Sequence, residues 1–242
     1  MTAGHPGLRI AAGTVWVALA LLVTHAASAQ PPPAASGPAF RPRRPVVSVA
    51  GAWTGAQDLG RVSAETRRAA VGTATPPAFT LFTTESSLGG APVAEVALAL
   101  PLTTRWAVAV RGGVSTPTLT TAISADAEAA PNVAVTEQVS DYTVDLSVTY
   151  QLARLGGRRA RPFLVVGGGY VRQLHEDNVL VETGRSWHGG AGLRWWLRGG
   201  DRRASAVGVV SEARWIWRTG GIAFTDGARS QPAASVGLFV GF

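Results

Sequence analysis

Three groups of residues have the types and spacing that chemistry needs. His175-Glu176-Asp177-Asn178 puts an imidazole beside two carboxylates, which could serve a metal ion or acid–base catalysis. It is not H-E-x-x-H, because position 179 is valine, so the two-imidazole zinc face is not formed and a solvated loop accounts for it. Ser186 and His188 could belong to a hydroxyl–imidazole–acid arrangement, but the sequence supplies only their proximity. Gly167-Gly168-Gly169 is similar to a phosphate-cradling loop, yet it lies inside an apolar run and lacks the G-x-x-x-x-G-K pattern. The expected role of these glycines is to relieve crowding or allow a kink, with Tyr170 and Arg172 taking the opened space. No G-x-S-x-G turn occurs. The sequence is therefore read as offering no catalytic, cofactor-binding or metal-ligating set, and the protein as not an enzyme.

A fourth group is more telling. Glu95, Arg111, Asp145, Arg194, Glu212 and Arg214 each interrupt an apolar run at an alternate position. They share strand faces with Gly113, Gly190, Gly192 and Gly208, opposite faces that are almost wholly apolar. Period two means strands, each with one apolar face. Tyr142, Val144, Leu146, Val148, Tyr150 and Leu152 show it best, alternating with Asp141, Thr143, Asp145, Ser147, Thr149 and Gln151.

The elements that must position these charges follow in order. Val46 to Thr54 is a first strand. Gln57 to Gly90, polar and carrying Pro76-Pro77, is read mostly as a loop, with Ala78 to Thr83 extending the hairpin that follows. Strands are expected over Ala94 to Leu100 and Arg105 to Val114, joined by a tight turn, and Thr116 to Glu137 is a second long connection. Further strands run over Asp141 to Leu152, Phe163 to Arg172, Trp187 to Leu197, Val207 to Trp217 and Ala233 to Phe242. Leu155 to Arg161, Leu174 to Arg185, Arg198 to Arg203 and Thr219 to Pro232 connect them. The total is about eight strands, with long and short connections in alternation.

Composition bounds the setting. The 242 residues are 46% hydrophobic and 15% charged, too apolar for a disordered chain. The formal charge of +7 rests on arginine alone, but the arginines cluster at turns and no continuous basic stripe appears, so nucleic acid is not expected as a partner. Zero cysteines exclude a disulfide framework and a thiolate zinc site. Arg9, the apolar run Val15 to Val23 and the small-x-small triplet Ala27-Ser28-Ala29 read as an export signal over residues 1–29, cut before Gln30. Residues 30–45, rich in Pro and Ala with Arg41, Arg43 and Arg44, read as a disordered spacer. No later segment offers 18 consecutive apolar residues.

The last strand carries a resemblance. Ala234, Val236, Leu238, Val240 and Phe242 alternate with mostly small residues, and the sequence stops on phenylalanine. With the export signal, the strand count and the loop alternation, residues 46–242 resemble the outer-membrane β-barrel domain family, the small bacterial barrels of about eight strands. The resemblance implies a closed, antiparallel, up-and-down transmembrane barrel in the cell outer membrane. It further implies that Val236, Leu238, Val240 and Phe242 act as the assembly signal. Outer-membrane lipid, lipopolysaccharide and the assembly machinery would be the partners of a monomer.

In such a wall apolar residues face lipid, backbone groups are all paired by closure, and the six charges fall in the lumen as an ion-pair network. Aromatic belts are expected from Trp53, Tyr142, Trp187, Trp215 and Trp217 at the outer rim, and from Trp106, Tyr150, Phe163 and Trp195 at the periplasmic rim. Eight residues separate Tyr142 from Tyr150, and Trp187 from Trp195. That is roughly 26 Å along a strand, or about 20 Å upright after tilting. Basic periplasmic turns could meet headgroups or acidic partners, with a solvated turn as the default. The expected role is a non-enzymatic integral barrel that has a packed charged lumen and displays its outer loops. Three alternatives stand beside it: a narrow, porin-like solute channel, a lipid-modifying enzyme using His188, and a soluble lipocalin-like carrier with its faces reversed.

Overall fold

The computed structural model describes residues 45–67, 78–128, 130–152, 155, 160–176, 180–198, 206–223 and 227–242. The export signal, the spacer up to position 44, Pro76-Pro77, Asp177-Asn178 and the turn arginines at 154, 158, 159, 202 and 203 lie outside them.

Twelve strands make up the described fold. Eight of them close into a barrel: β1 (Val46–Thr54), β4 (Ala91–Pro101), β5 (Trp106–Ser115), β8 (Ser140–Gln151), β9 (Ala160–Leu174), β10 (Val181–Arg198), β11 (Ala206–Gly220) and β12 (Arg229–Gly241). All neighbours are antiparallel, and β1 closes the ring by pairing with both β12 and β4. Closure leaves no barrel edge, so every strand has a partner on both sides.

The remaining four strands correct the loop assignments. β2 (Gln57–Arg67), β3 (Ala78–Leu88), β6 (Thr118–Ser124) and β7 (Val133–Gln138) form a second antiparallel sheet in the order β2-β3-β6-β7. The described residues of Gln57 to Gly90 and Thr116 to Glu137 therefore form two β-ribbons rather than loops, with Ala78 to Thr83 extending the hairpin as expected. Each ribbon continues a barrel hairpin upward. The junctions stay hydrogen-bonded, with Gly55 N donating to Pro232 O (2.8 Å), Gly89 N to Thr118 O (2.8 Å) and Val139 N to Pro117 O (3.0 Å). A register shift between Asp58 and Gly60 is made possible by Gly60, whose φ of 104° only glycine adopts without strain.

Two further connections are shorter than expected. β9 and β10 stay paired up to Leu174↔Val181, and β11 and β12 up to Arg218↔Arg229. Backbone pairing extends past the point where side-chain alternation fades.

The barrel interior is mixed, with charges buried beside Phe163, Val165, Val171 and Phe239. Val144, Leu146, Val166, Val236 and Leu238 point outward and are each 57–63% exposed, whereas Glu95, Asp145, Glu212 and Arg214 point inward and are buried. Among the described residues, a cluster of buried apolar side chains lies at the junction with the second sheet. Leu59, Leu88, Leu119 and Val139 from the ribbons meet Ile222, just beyond β11. Pro117 and Leu119 carry the inward parity of β5 into β6, and Val139 does so between β7 and β8, so the cluster caps one end of the lumen.

Candidate functional site

The barrel interior is built in tiers. At the end that carries the described termini, Phe163 on β9 and Phe239 on β12 are 1% and 3% exposed. Trp196 meets Phe239 edge-on at 5.6 Å, and Arg161 lies 5.3 Å over the Trp196 ring. Arg194 lies 5.0 Å over Phe163. Phe163 thus stands inside the lumen, which corrects its assignment to the periplasmic aromatic belt. β9 register sets its direction: Phe163 pairs with Gly192, and a Cβ on Gly192 would collide with the Phe163 ring. Gly208 leaves the matching space for Phe239. An aromatic ring fits inside a narrow barrel where the neighbouring strand offers glycine.

Above this tier lies a four-membered ion cluster joining opposite walls. Arg111 Nη2 on β5 donates to both carboxylate oxygens of Glu212 on β11 at 3.0 Å. Arg214 donates to Glu95 Oε1 on β4, and Arg111 Nε lies 3.9 Å from Glu95 Oε2. Arg214 Nε, 3.1 Å from Glu212 Oε1, is an ion pair rather than an aligned hydrogen bond. Two guanidinium groups facing two carboxylates leave the cluster neutral, which is what buried charge requires.

Next come Asp145, Ser186 and His188. Ser186 Oγ donates to Asp145 Oδ1 at 3.0 Å, and the His188 ring is 3% exposed. The three glycines at 167–169 act on alternating sides. A Cβ on Gly167 would lie 2.7 Å from His188 Cε1, one on Gly169 would strike Asp145, and one on outward Gly168 would lie 2.6 Å from the Trp187 ring. Tyr170 and Arg172 do not fill that space; both point outward and are exposed. Ser186 and His188 face the lumen, away from any lipid-facing rim. Asp145 accepts from the serine, and His188 Nε2 has no hydrogen-bond partner among the described residues. The arrangement is not that of a nucleophile activated by an imidazole.

The outermost tier was not singled out from sequence. Arg218 Nη1 donates to Asp141 Oδ2 at 2.5 Å, Arg229 donates to the carbonyls of Ile222 (2.5 Å) and Gly220, and Gln173 Oε1 accepts from Ile222 N at 2.9 Å. The signal was present as continued period two: Glu212, Arg214 and Arg218 share a face, as do Arg229, Gln231 and Ser235. Among the cavities lined by described residues, one of about 40 Å³ is lined by Glu95, Arg111, Arg194 and Glu212 and one of about 20 Å³ by Asp145, Ser186, His188 and Arg218. Each has room for one to a few water molecules and for no larger solute.

On the outer surface, Trp53, Tyr142, Trp187, Trp215 and Trp217 are 42–62% exposed, as are Trp106 and Trp195 toward the other end. Trp106 packs on Tyr150 at 4.7 Å. His175 lies across from β7, its Nδ1 2.8 Å from Glu137 Oε1, and Glu176 N donates to the same oxygen at 3.0 Å. Among the described residues no cluster of three or more His, Cys, Asp or Glu could hold a metal ion.

No family model matches the chain, and no curated protein matches it. Among solved structures it is similar to the outer membrane protein OprG from Pseudomonas aeruginosa, at 10% identity over 83% of this chain and 97% of that one, with a TM-score of 0.47. It is also similar to Ail, the attachment invasion locus protein of Yersinia pestis, at 9% identity over 83% of this chain and 99% of that one, with a TM-score of 0.37. The outer membrane channel from Pseudomonas putida F1 matches at 12% identity over 86% and 100%, with a TM-score of 0.20. By its own geometry the chain forms a closed eight-stranded antiparallel β-barrel, apolar outside and charged within.

Proposed function

We propose that this protein is a monomeric integral component of the outer membrane that does not conduct. Its lumen is a structural plug, and its second sheet is displayed outside the cell. The observation that carries the reading is the inverted wall. A soluble barrel hides its apolar side chains and exposes its charges, whereas this one buries Glu95, Glu212 and Arg214 and exposes Val144, Leu146, Val236 and Leu238. In water that arrangement would leave a continuous apolar belt unburied; in lipid it is the low-energy one. The long ribbons set the orientation. Short turns face the periplasm and the β2-β3-β6-β7 sheet faces outward, since outer-membrane barrels keep their long connections outside. Outward Val236, Leu238, Val240 and Phe242 on the last strand are then the segment that the assembly machinery would engage.

Filling of the lumen favours a plug over a narrow channel. Cavities as small as about 40 and 20 Å³ beside the ion cluster, and the apolar cluster at the outer end, support this reading. The test joins two assays on refolded full-length protein. Unboiled samples should migrate differently from boiled ones on a denaturing gel, and planar bilayers containing the protein should show no discrete conductance steps. A soluble, heat-insensitive species contradicts the membrane reading. Reproducible conductance steps contradict the plug.

A further inference from the structure

Two outward arginines are unexplained by the plug or the displayed sheet. Arg172 on β9 and Arg185 on β10 point away from the lumen, are exposed, and pair with no acid among the described residues. Strand register sets them side by side. One cross-strand row reads Tyr142–Arg172–Thr183, and the row below it reads Tyr170–Arg185–Thr219. The next row down contains Trp187 and Trp217, which belong to the outer aromatic belt. Arg172 and Arg185 are diagonal neighbours, so their Cβ atoms lie about 7 Å apart.

Height matters. Arg185 lies one row, or two residues, above the Trp187–Trp217 row, roughly 6.6 Å along the strand and about 5 Å upright. Arg172 lies one row higher still, beside Tyr142 of the same belt. Belts sit at headgroup level, so the two guanidinium groups meet the phosphate layer of the outer leaflet rather than its acyl chains. The six side chains Tyr142, Tyr170, Arg172, Thr183, Arg185 and Thr219 are all hydrogen-bond donors, with no carboxylate among them. At the same height the other described outward positions of the wall are Trp53, Pro92, Val114, Ser230 and Pro232, none charged. The cationic patch is one-sided.

We propose that this patch is a binding site for the phosphorylated glycolipid of the outer leaflet, held by Arg172 and Arg185. Guanidinium forks match phosphate oxygens two at a time, and the neighbouring hydroxyls suit sugar and phosphate oxygens. Two cations one diagonal apart fit a headgroup carrying more than one phosphate better than a single phosphodiester. The inference rests on the membrane reading above. It predicts that lipid occupies one side of the barrel in preference to the rest.

The experiment uses full-length protein refolded in neutral detergent, with native mass spectrometry as the readout. Diphosphoryl lipid A, monophosphoryl lipid A and phosphatidylglycerol are the probes. The wild-type protein should bind diphosphoryl lipid A most tightly, and R172Q/R185Q should bind it on the order of tenfold more weakly or worse. R105Q, at the opposite end of the barrel, should bind as wild type. Equal binding by wild type and R172Q/R185Q would overturn the proposal, as would phosphatidylglycerol binding as tightly as diphosphoryl lipid A. A gel-mobility shift on boiling, run on every variant, separates the two readings. If the wild type shows no shift, the membrane reading has failed. If all variants shift and lipid binding is unchanged, only the lipid site has failed.

Discussion

Glu212 stands between two guanidinium groups, and its removal is the sharpest residue-scale test of the interior. Glu212→Ala would leave Arg111 and Arg214 sharing only Glu95 in a buried site. Breaking a buried pair by removing one partner costs about 3–5 kcal/mol. The midpoint of urea unfolding in lipid vesicles should fall accordingly; a midpoint unchanged from wild type would show that the cluster is solvated. The glycines give a second test. Gly192→Ala should destabilise by about 1–3 kcal/mol through its collision with Phe163 and the Ser211 carbonyl, and Phe163→Leu in the same chain should recover the part owed to the ring. If the double variant unfolds no later than Gly192→Ala alone, the Ser211 carbonyl rather than the Phe163 ring sets the cost. Period two needs only hydrophobic contrast, which is why six inward charges could be named from sequence. Only Glu95, Arg111, Glu212 and Arg214 join in one ion cluster, while Asp145 bonds Ser186 and Arg194 lies over Phe163. The inward Asp141, Arg218 and Arg229 were missed from that set. Phe163 was not legible, since an aromatic side chain belongs as readily to an interface belt as to an interior tier. Only the pairing of β9 with β10, which the sequence does not state, puts it opposite Gly192.

At the scale of elements, the four-stranded sheet, apart from the hairpin extension at Ala78 to Thr83, was illegible for a physical reason. Its strands are rich in Thr, Ser and Glu and, apart from the cap, lie largely in water, so their faces differ little and period two weakens. β-Branched residues such as Val133, Val135 and Thr136 were the available hint, and they carry only a context-dependent propensity. The barrel strands, with lipid on one side and charge on the other, had no such ambiguity. The apolar cap ties the two parts together, and its loss should act locally. Leu119→Ala removes a buried side chain from the cluster of Leu59, Leu88, Val139 and Ile222, at about 2–5 kcal/mol. Hydrogen exchange should accelerate in β6 and β7 while β8 to β12 keep their protection. Uniform acceleration across the barrel would mean that the cap holds up the whole fold rather than its outer extension.

At the scale of the molecule, the central claim is the direction of the wall: lipid outside, charge inside. Alternation in sequence could not settle that direction, because a soluble barrel shows the same period with the faces exchanged. Closure, the exposure of Val144 and Leu146 and the burial of Asp145 and Ser147 settle in the structure which face points outward, and lipid on that face is what we propose. The absence of cysteine makes the direct measurement clean. Single cysteines placed along β8 at positions 143 to 148 would be spin-labelled in vesicles and read by collision with lipid-soluble oxygen and with a water-soluble nickel chelate. The account predicts high oxygen access at 144, 146 and 148 and low access at 143, 145 and 147, repeating every second residue. Access to the nickel chelate at 144, 146 and 148, with none to oxygen, would contradict it and place those apolar side chains in water.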